Sequence, residues 1–181
     1  MKKILLIIIL TAIITTGIFA ENEFVENEFA ENKLSNYPGG LGIGLQIGGG
    51  SKWESAFMGT AAVTLKIREL PFLWGIRLNI ENDYFSLGIS SDYYLADILL
   101  IPDNLHWYIG LGAELIFGLN DPFSTGIAAR APIGLSWQKE LPSIVLEVYL
   151  QVVPKLGLSI YPFDFPYGGL GIDLGVRIWF D

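Results

Sequence analysis

The chain has 181 residues, of which 51% are hydrophobic and only 17% are charged, and it contains no cysteine. This composition excludes a disordered chain, a disulfide-stabilised scaffold and a lipoprotein acylated on cysteine, and the length suits a single domain. The formal net charge of -8 disfavours nucleic-acid binding, because phosphates are bound by basic surfaces.

Residues 1–20 have the pattern of a secretory signal peptide. Lys2 and Lys3 precede an apolar run, and small residues follow up to Ala20. A transmembrane anchor is the alternative, but threonines and a glycine interrupt the run and glutamates follow it at once. We therefore expect export with cleavage near Ala20, and an acidic periplasmic tail over residues 21–38.

Residues 39–181 alternate between apolar and small or polar side chains with a period of two, which indicates strands and not helices. Eight segments show this alternation, and no charged residue falls on an apolar face. The apolar positions run from Leu41 to Ile47, Ala61 to Ile67, Phe72 to Ile80, Phe85 to Tyr93, Trp107 to Phe117, Ile127 to Trp137, Ile144 to Val152 and Leu170 to Phe180.

The composition of the opposite face decides between two kinds of barrel. A soluble, lipocalin-like barrel has the same period, but its outer face would be rich in Lys, Glu and Thr. Here the opposite face consists mainly of Gly, Ala and Ser, as expected for the crowded lumen of eight strands. We therefore predict a monomeric, all-β, eight-stranded antiparallel up-and-down transmembrane β-barrel in the outer membrane, with its apolar face in lipid.

An even number of strands places both ends of the mature chain at the same end of the barrel, and export predicts that this end faces the periplasm. We call it the inner end and the opposite one the outer end. The segment boundaries predict loops at both ends. Outer loops are expected at residues 49–57, 81–83, 119–124 and 162–168, and inner turns at 69–71, 96–105 and 139–142. The last outer loop is the most aromatic and is predicted as a surface contact. Its residues are Tyr161, Phe163, Phe165 and Tyr167.

The few charged residues on the small-residue face predict an ion-pair network inside the lumen. Folding the fifth segment onto the sixth about Pro122 brings Glu114 opposite Arg130. Folding the seventh onto the eighth about Pro162 brings Glu147 opposite Arg177, and Gln151 opposite Asp173. Arg77 completes the set. A structural network is favoured over a gated ion path, because eight strands leave little free bore.

The sequence contains little that indicates a catalytic, metal or cofactor site. His106 is the only histidine, and without cysteine or an adjacent acid it does not predict a zinc site or a His-Ser hydrolase. The glycine runs lack the Lys-Ser/Thr that follows in a phosphate-binding loop. We therefore expect no catalytic, metal or cofactor site.

The stretch LHWYIGLG (105–112) and the tail from Ala131, APIGLSWQKELPSIVLEVYLQVVPKLGL followed by GGLGIDLGVRIWF, resemble small eight-stranded outer-membrane barrels of spirochaetes. These have an architecture like that of OmpA and OmpX. The resemblance covers about Leu41 to Phe180. It implies recognition of the closing strand by the barrel-assembly machinery, although here Phe180 is penultimate. Some such barrels are host-factor or matrix-binding adhesins.

The sequence thus predicts a non-enzymatic outer-membrane barrel with a structural role or an adhesin role at its surface loops. Its expected partners are outer-membrane lipid, the assembly machinery and a host or extracellular ligand. A narrow ion-conducting pore is the main alternative, and a lipid-modifying enzyme comes third.

Overall fold

The computed structural model describes residues 40–52, 57–67, 70, 72–81, 84–101, 104–120 and 123–180. The predicted signal peptide and acidic tail lie outside the described residues. Nine strands form the described part: β1 Leu41–Lys52, β2 Phe57–Ile67, β3 Phe72–Glu81, β4 Tyr84–Ile101, β5 Leu105–Gly118, β6 Ser124–Arg130, β7 Ile133–Leu141, β8 Ile144–Tyr161 and β9 Phe163–Phe180. No helix capable of crossing a membrane occurs among these residues.

The strands close into a ring. Strands that follow each other in the sequence pair antiparallel, except β6 with β7, which both lie between β5 and β8, and β1 pairs with β9. Because β4 also pairs with β5, no strand is left at an edge over its whole length. The predicted all-β transmembrane barrel is therefore confirmed.

The sixth predicted segment is split into β6 and β7 by Pro132, which has no backbone N–H to donate to a ladder. The backbone nevertheless remains hydrogen-bonded to both neighbouring strands at the break. Gly110 N donates to Pro132 O at 2.8 Å, and Ala131 N donates to Pro154 O at 3.0 Å. The two short strands therefore occupy one of eight positions in the ring.

The strands are staggered, so a row of paired residues climbs as it goes round. The row that starts at Gly42 near the inner end of β1 returns to β1 at Lys52, ten residues further along. It passes through Lys66, Leu73, Asp92, Gly112, Arg130, Lys155 and Gly169. This stagger accompanies the strand tilt that a closed barrel requires.

The apolar face points outward. Leu111, Ile133 and Leu174 are 55%, 43% and 48% exposed, whereas Arg130 and Asp173 are 3% and 1% exposed. A soluble barrel would show the reverse, so the predicted orientation is confirmed. Aromatic residues of the outer face also meet near the inner rim, where the rings of Phe72 and Tyr93 make an edge contact at 5.4 Å.

Several predicted loops are wrong in extent, because the strands continue into them. The expected inner turn at 96–105 shortens, since β4 continues to Ile101 and pairs with β5 down to Leu105. The expected outer loop at 162–168 belongs to β9, which pairs with β8 up to Phe163 opposite Ile160. The predicted outer loop at 49–57 shortens too, because β1 extends to Lys52.

Large interior side chains lie over glycines of the adjacent strand. A Cβ at Gly175 would lie 2.2 Å from the Tyr149 ring, and one at Gly134 would lie 2.6 Å from the Tyr108 ring. Both tyrosines are the direct cross-strand partners of these glycines. The glycines of the small-residue face therefore provide the space that the lumen's aromatic rings occupy.

We predict that Gly175→Ala destabilises the barrel by about 1–3 kcal/mol, because the added methyl group overlaps the Tyr149 ring. Urea unfolding in phospholipid vesicles measures the loss. Gly59→Ala is the matched control, since its nearest atom would be 3.9 Å away. Adding Tyr149→Ala to Gly175→Ala removes the overlap, so a double variant with the full sum of both losses would contradict this account.

Candidate functional site

A cluster of six charged side chains fills the middle of the lumen. We call it the charge cluster, and it consists of Arg77, Asp92, Glu114, Arg130, Lys155 and Asp173. Arg77 donates to both carboxylate oxygens of Asp173, from Nη1 at 2.8 Å and from Nη2 at 3.1 Å. This two-pronged pair links β3 to β9 across the lumen.

Glu114 is the centre of the cluster and is fully buried. Its carboxylate lies 2.5 Å from Lys155 Nζ, 3.6 Å from Arg130 Nη1 and 3.8 Å from Arg77 Nε. Arg130 Nε in turn lies 2.9 Å from Asp92 Oδ1. Three cations thus face three carboxylates, a balance that burial of charge requires.

The predicted partnership of Glu114 and Arg130 has a different geometry from the one expected. Glu114 is opposite Ala128, and Arg130 is opposite Gly112, so the register of β5 and β6 is shifted by two residues. The two side chains still meet, diagonally, because both point into the lumen and long side chains span that offset.

Below the charge cluster, toward the inner end, lies what we call the aromatic layer. Its members are Lys66, Leu73, Tyr94, Tyr108, Tyr149 and Arg177, and each is less than a tenth exposed. The rings of Tyr94 and Tyr108 stack at 5.0 Å. Lys66 Nζ lies 4.1 Å from the centroid of the Tyr94 ring, and the Arg177 guanidinium lies 4.8 Å from that of Tyr149. Cation–π attraction thus holds both charges.

Gln151 connects the two groups. Tyr108 Oη donates to Gln151 Oε1 at 3.0 Å, and Gln151 Nε2 donates to Asp173 Oδ2 at 3.1 Å. Gln151 and Asp173 are direct cross-strand partners. The hydroxyl end of the aromatic layer is therefore hydrogen-bonded to the charge cluster.

Glu147 collects three donors on the inner side of the aromatic layer. It accepts from Arg177 Nη1 at 2.8 Å, Trp179 Nε1 at 2.7 Å and Ser136 Oγ at 2.9 Å. Arg177 is also its cross-strand partner. All seven residues proposed from the sequence as a lumen network are buried inside the ring, but only four of them, Arg77, Glu114, Arg130 and Asp173, belong to the charge cluster.

His106 has an acidic neighbour that the sequence did not indicate. Its Nδ1 lies 3.4 Å from Asp97 Oδ1. A β-bulge at Leu95 turns Asp97 into the lumen, where an unbroken alternation would point it outward. Ser136 is opposite His106, but its hydroxyl donates to Glu147 and it is fully buried. The three side chains therefore do not form an accessible nucleophile with its base.

Two small cavities lie in the lumen. The outer one has a volume of about 30 Å³ and is lined by glycines of β1 and β9 together with Thr60, Asn79 and members of the charge cluster. The other, of about 10 Å³, lies between the charge cluster and the aromatic layer. No group of three or more acidic or histidine side chains suited to a metal ion occurs in the described part of the chain.

At the outer end, apolar side chains protrude beyond the ring. Tyr161 and Phe163 are 62% and 78% exposed, while the side chains of Phe165 and Tyr167 lie outside what the structure describes. Phe123 is also exposed, and it directly precedes β6, which pairs with the end of β8. The loop after β5 is tied to β4, because Phe85 N donates to Asn120 Oδ1 at 2.6 Å.

Several buried lumen residues were not among those predicted from the sequence. Asp92 lies on the predicted inner face, and the alternation therefore contained the signal for it. Lys155 was missed because Pro154 interrupts the pattern and the predicted segment ended at Val152. The alternation of side chains along β4 also predicts that Tyr94 points inward, once the strand is extended past Tyr93.

No family model matches the chain, and no curated protein sequence matches it. Solved structures do resemble it. Neisserial surface protein A (NspA) is 16% identical with a TM-score of 0.46, covering 77% of this chain and 96% of its own. The N-terminal β-barrel domain of Pseudomonas aeruginosa OprF is 12% identical with a TM-score of 0.42, covering 75% and 96%. A de novo designed transmembrane β-barrel is 13% identical with a TM-score of 0.40, covering 78% and 95%.

We predict that Arg77→Gln and Asp173→Asn each cost about 3–5 kcal/mol of stability, because each leaves the other charge buried without its partner. The double variant should lose much less than the sum of the two. Urea unfolding in vesicles completes the cycle, with the exposed Lys139→Gln as a control of small effect. Additive losses would contradict a coupled pair.

Proposed function

We propose that the chain is an exported outer-membrane barrel with a closed lumen, which works as a non-enzymatic scaffold that presents its outer hairpins to the surroundings. The filled lumen is the observation that supports this proposal most. Among the described residues, the two cavities beside the charge cluster have volumes of only about 30 Å³ and about 10 Å³. At about 10–15 Å³ per water molecule, these volumes suit a few waters and no organic substrate.

The outer hairpin of β8 and β9 supports a surface-interaction role. Phe117, Thr125 and Tyr161 lie in one paired row, and such rows climb outward from β5 to β8. Tyr161 and Phe163 therefore project further outward than Phe117. Exposed aromatic side chains are the kind that dominate protein interfaces. The proposed partner is a protein of the host or extracellular matrix that offers apolar pockets.

A narrow ion-conducting pore is the second candidate, and one observation favours it. Arg77 lines both cavities, so its side chain and the ion pairs it makes separate two spaces that each admit water. Movement of this side chain would join them. Such a pore still requires a break in the aromatic layer.

We expect no ion-conductance steps from the wild-type protein in planar lipid bilayers, because close-packed side chains occupy the lumen. Insertion is verified on the same preparation by heat-modifiable migration in unboiled detergent gels. Steps that disappear when Glu114 or Arg130 is substituted would instead establish the pore.

For the surface role, we predict that cells displaying the double variant Tyr161→Ser, Phe163→Ser adhere less strongly to a layer of solubilised extracellular matrix than cells displaying the wild-type protein. The matched control is Leu100→Ser, which removes an exposed apolar residue from the opposite end of the barrel. Equal adherence of wild type, double variant and cells lacking the protein would remove the adhesin role.

A further inference from the structure

The two cavities are stacked along the lumen and differ in access. Thr60, Gly50 and Gly171 of the outer cavity are each partly exposed. Inward-facing residues of the other cavity, such as Gln46, Thr64 and Ser90, are all buried. The charge cluster lies between the two, and the aromatic layer lies below the second, which Leu73 lines.

The charge cluster has the properties of a hydrated level. Arg77, Asn79 and Glu114 line the outer cavity, and Arg77 Nε, Asn79 Oδ1 and Glu114 Oε1 have no hydrogen-bond partner within the described residues. On the other side, Arg130 and Asp92 line the second cavity, where Arg130 Nε and Asp92 Oδ1 lie 2.9 Å apart as an ion pair without hydrogen-bond geometry. Buried polar atoms of this kind are normally satisfied by water, and both cavities are large enough to hold it.

The aromatic layer, by contrast, closes a complete cross-section of the barrel. Six positions of the ring contribute a large side chain to it, from β2, β3, β4, β5, β8 and β9. The other two contribute glycines, and large side chains fill the space above these. A Cβ at Gly134 would lie 2.6 Å from the Tyr108 ring, and one at Gly42 would lie 2.6 Å from Arg177 Cδ. No gap therefore remains beside any strand at the level of the aromatic layer.

We propose that the permeability barrier of this barrel is the aromatic layer, which forms the floor of a blind well that opens to the outer side, and that the charge cluster is a hydrated level within that well. This inference rests on the proposed closed lumen and locates its seal. A small polar solute or ion that enters from outside reaches the level of Ser90 and stops above Tyr108 and Tyr149.

The absence of cysteine allows a direct test with single thiols. Thr60→Cys reports the outer cavity, Ser90→Cys the second cavity, and Ser136→Cys the inner side of the aromatic layer. The proteins are folded in vesicles, exposed to Ag⁺, then unfolded and labelled with a maleimide. We expect Thr60→Cys and Ser90→Cys to lose maleimide labelling, because Ag⁺ reaches both thiols.

Protection of Ser90→Cys under conditions in which Thr60→Cys reacts completely would overturn the proposal, because the charge cluster would then be the seal. Thr64→Cys lines the same cavity and replaces Ser90→Cys if that variant does not show heat-modifiable migration. Ser136→Cys tests the inner side of the aromatic layer, in vesicles where Ag⁺ has no access to the inner end of the barrel. If this thiol reacted with Ag⁺ as completely as that of Ser90→Cys, the barrier would lie elsewhere.

Conductance provides the second measurement and separates the two proposals. Tyr149→Ala should produce steps in planar bilayers, whereas Lys155→Met, which loosens the charge cluster, should stay silent. If Lys155→Met produced conductance steps and Tyr149→Ala produced none, the aromatic layer would not be the seal. Steps from the wild type would contradict the closed lumen itself, whichever thiols react.

Discussion

The need to pair every backbone N–H and C=O within the chain governs this structure. Hydrocarbon offers these groups no partner, and an unpaired group costs several kcal/mol. The ring of strands meets this requirement by closing through the β4–β5 pairing. Once the ring is closed, alternate side chains must face lipid or the lumen, which explains why the outer face is apolar and the inner face is small or polar. Pro132 interrupts the ladder only locally, because its own carbonyl accepts from Gly110.

A barrel of eight strands must also fill its interior, and this chain does so with two kinds of material. Long charged side chains occupy the middle, where three cations and three carboxylates offset one another around Glu114. Tyrosine rings and two cations occupy the level below it. Glycines on the adjoining strands make both arrangements fit. The lumen is consequently a packed core whose polar part lies toward the outside, and exposed apolar groups remain at the outer tip.

The alternation in the sequence was sufficient to predict the strands, their faces and the all-β barrel, because a period of two determines which side chains share a face. It could not give the stagger between β5 and β6, which depends on the length of the loop between them, so Glu114 is opposite Ala128 and not Arg130. Nor could it reveal the bulge at Leu95 that turns Asp97 toward His106, since an extra residue reads as a break in the pattern. The end of β4 beyond Tyr93 was not predicted for the same reason, and the end of β8 beyond Val152 was not predicted because Pro154 interrupts the pattern.

Spin labels attached to single cysteines at Leu111, Ile133 and Leu174 test most directly whether lipid surrounds the apolar face, because the chain has no other thiol. Frequent collision with dissolved oxygen indicates that a label lies in hydrocarbon, and frequent collision with a water-soluble nickel complex indicates that it lies in aqueous solvent. We expect frequent collisions with oxygen and rare collisions with the nickel complex at all three labels in vesicles. Labels that are shielded from oxygen, or that collide freely with nickel, would contradict the assignment of this face to the bilayer.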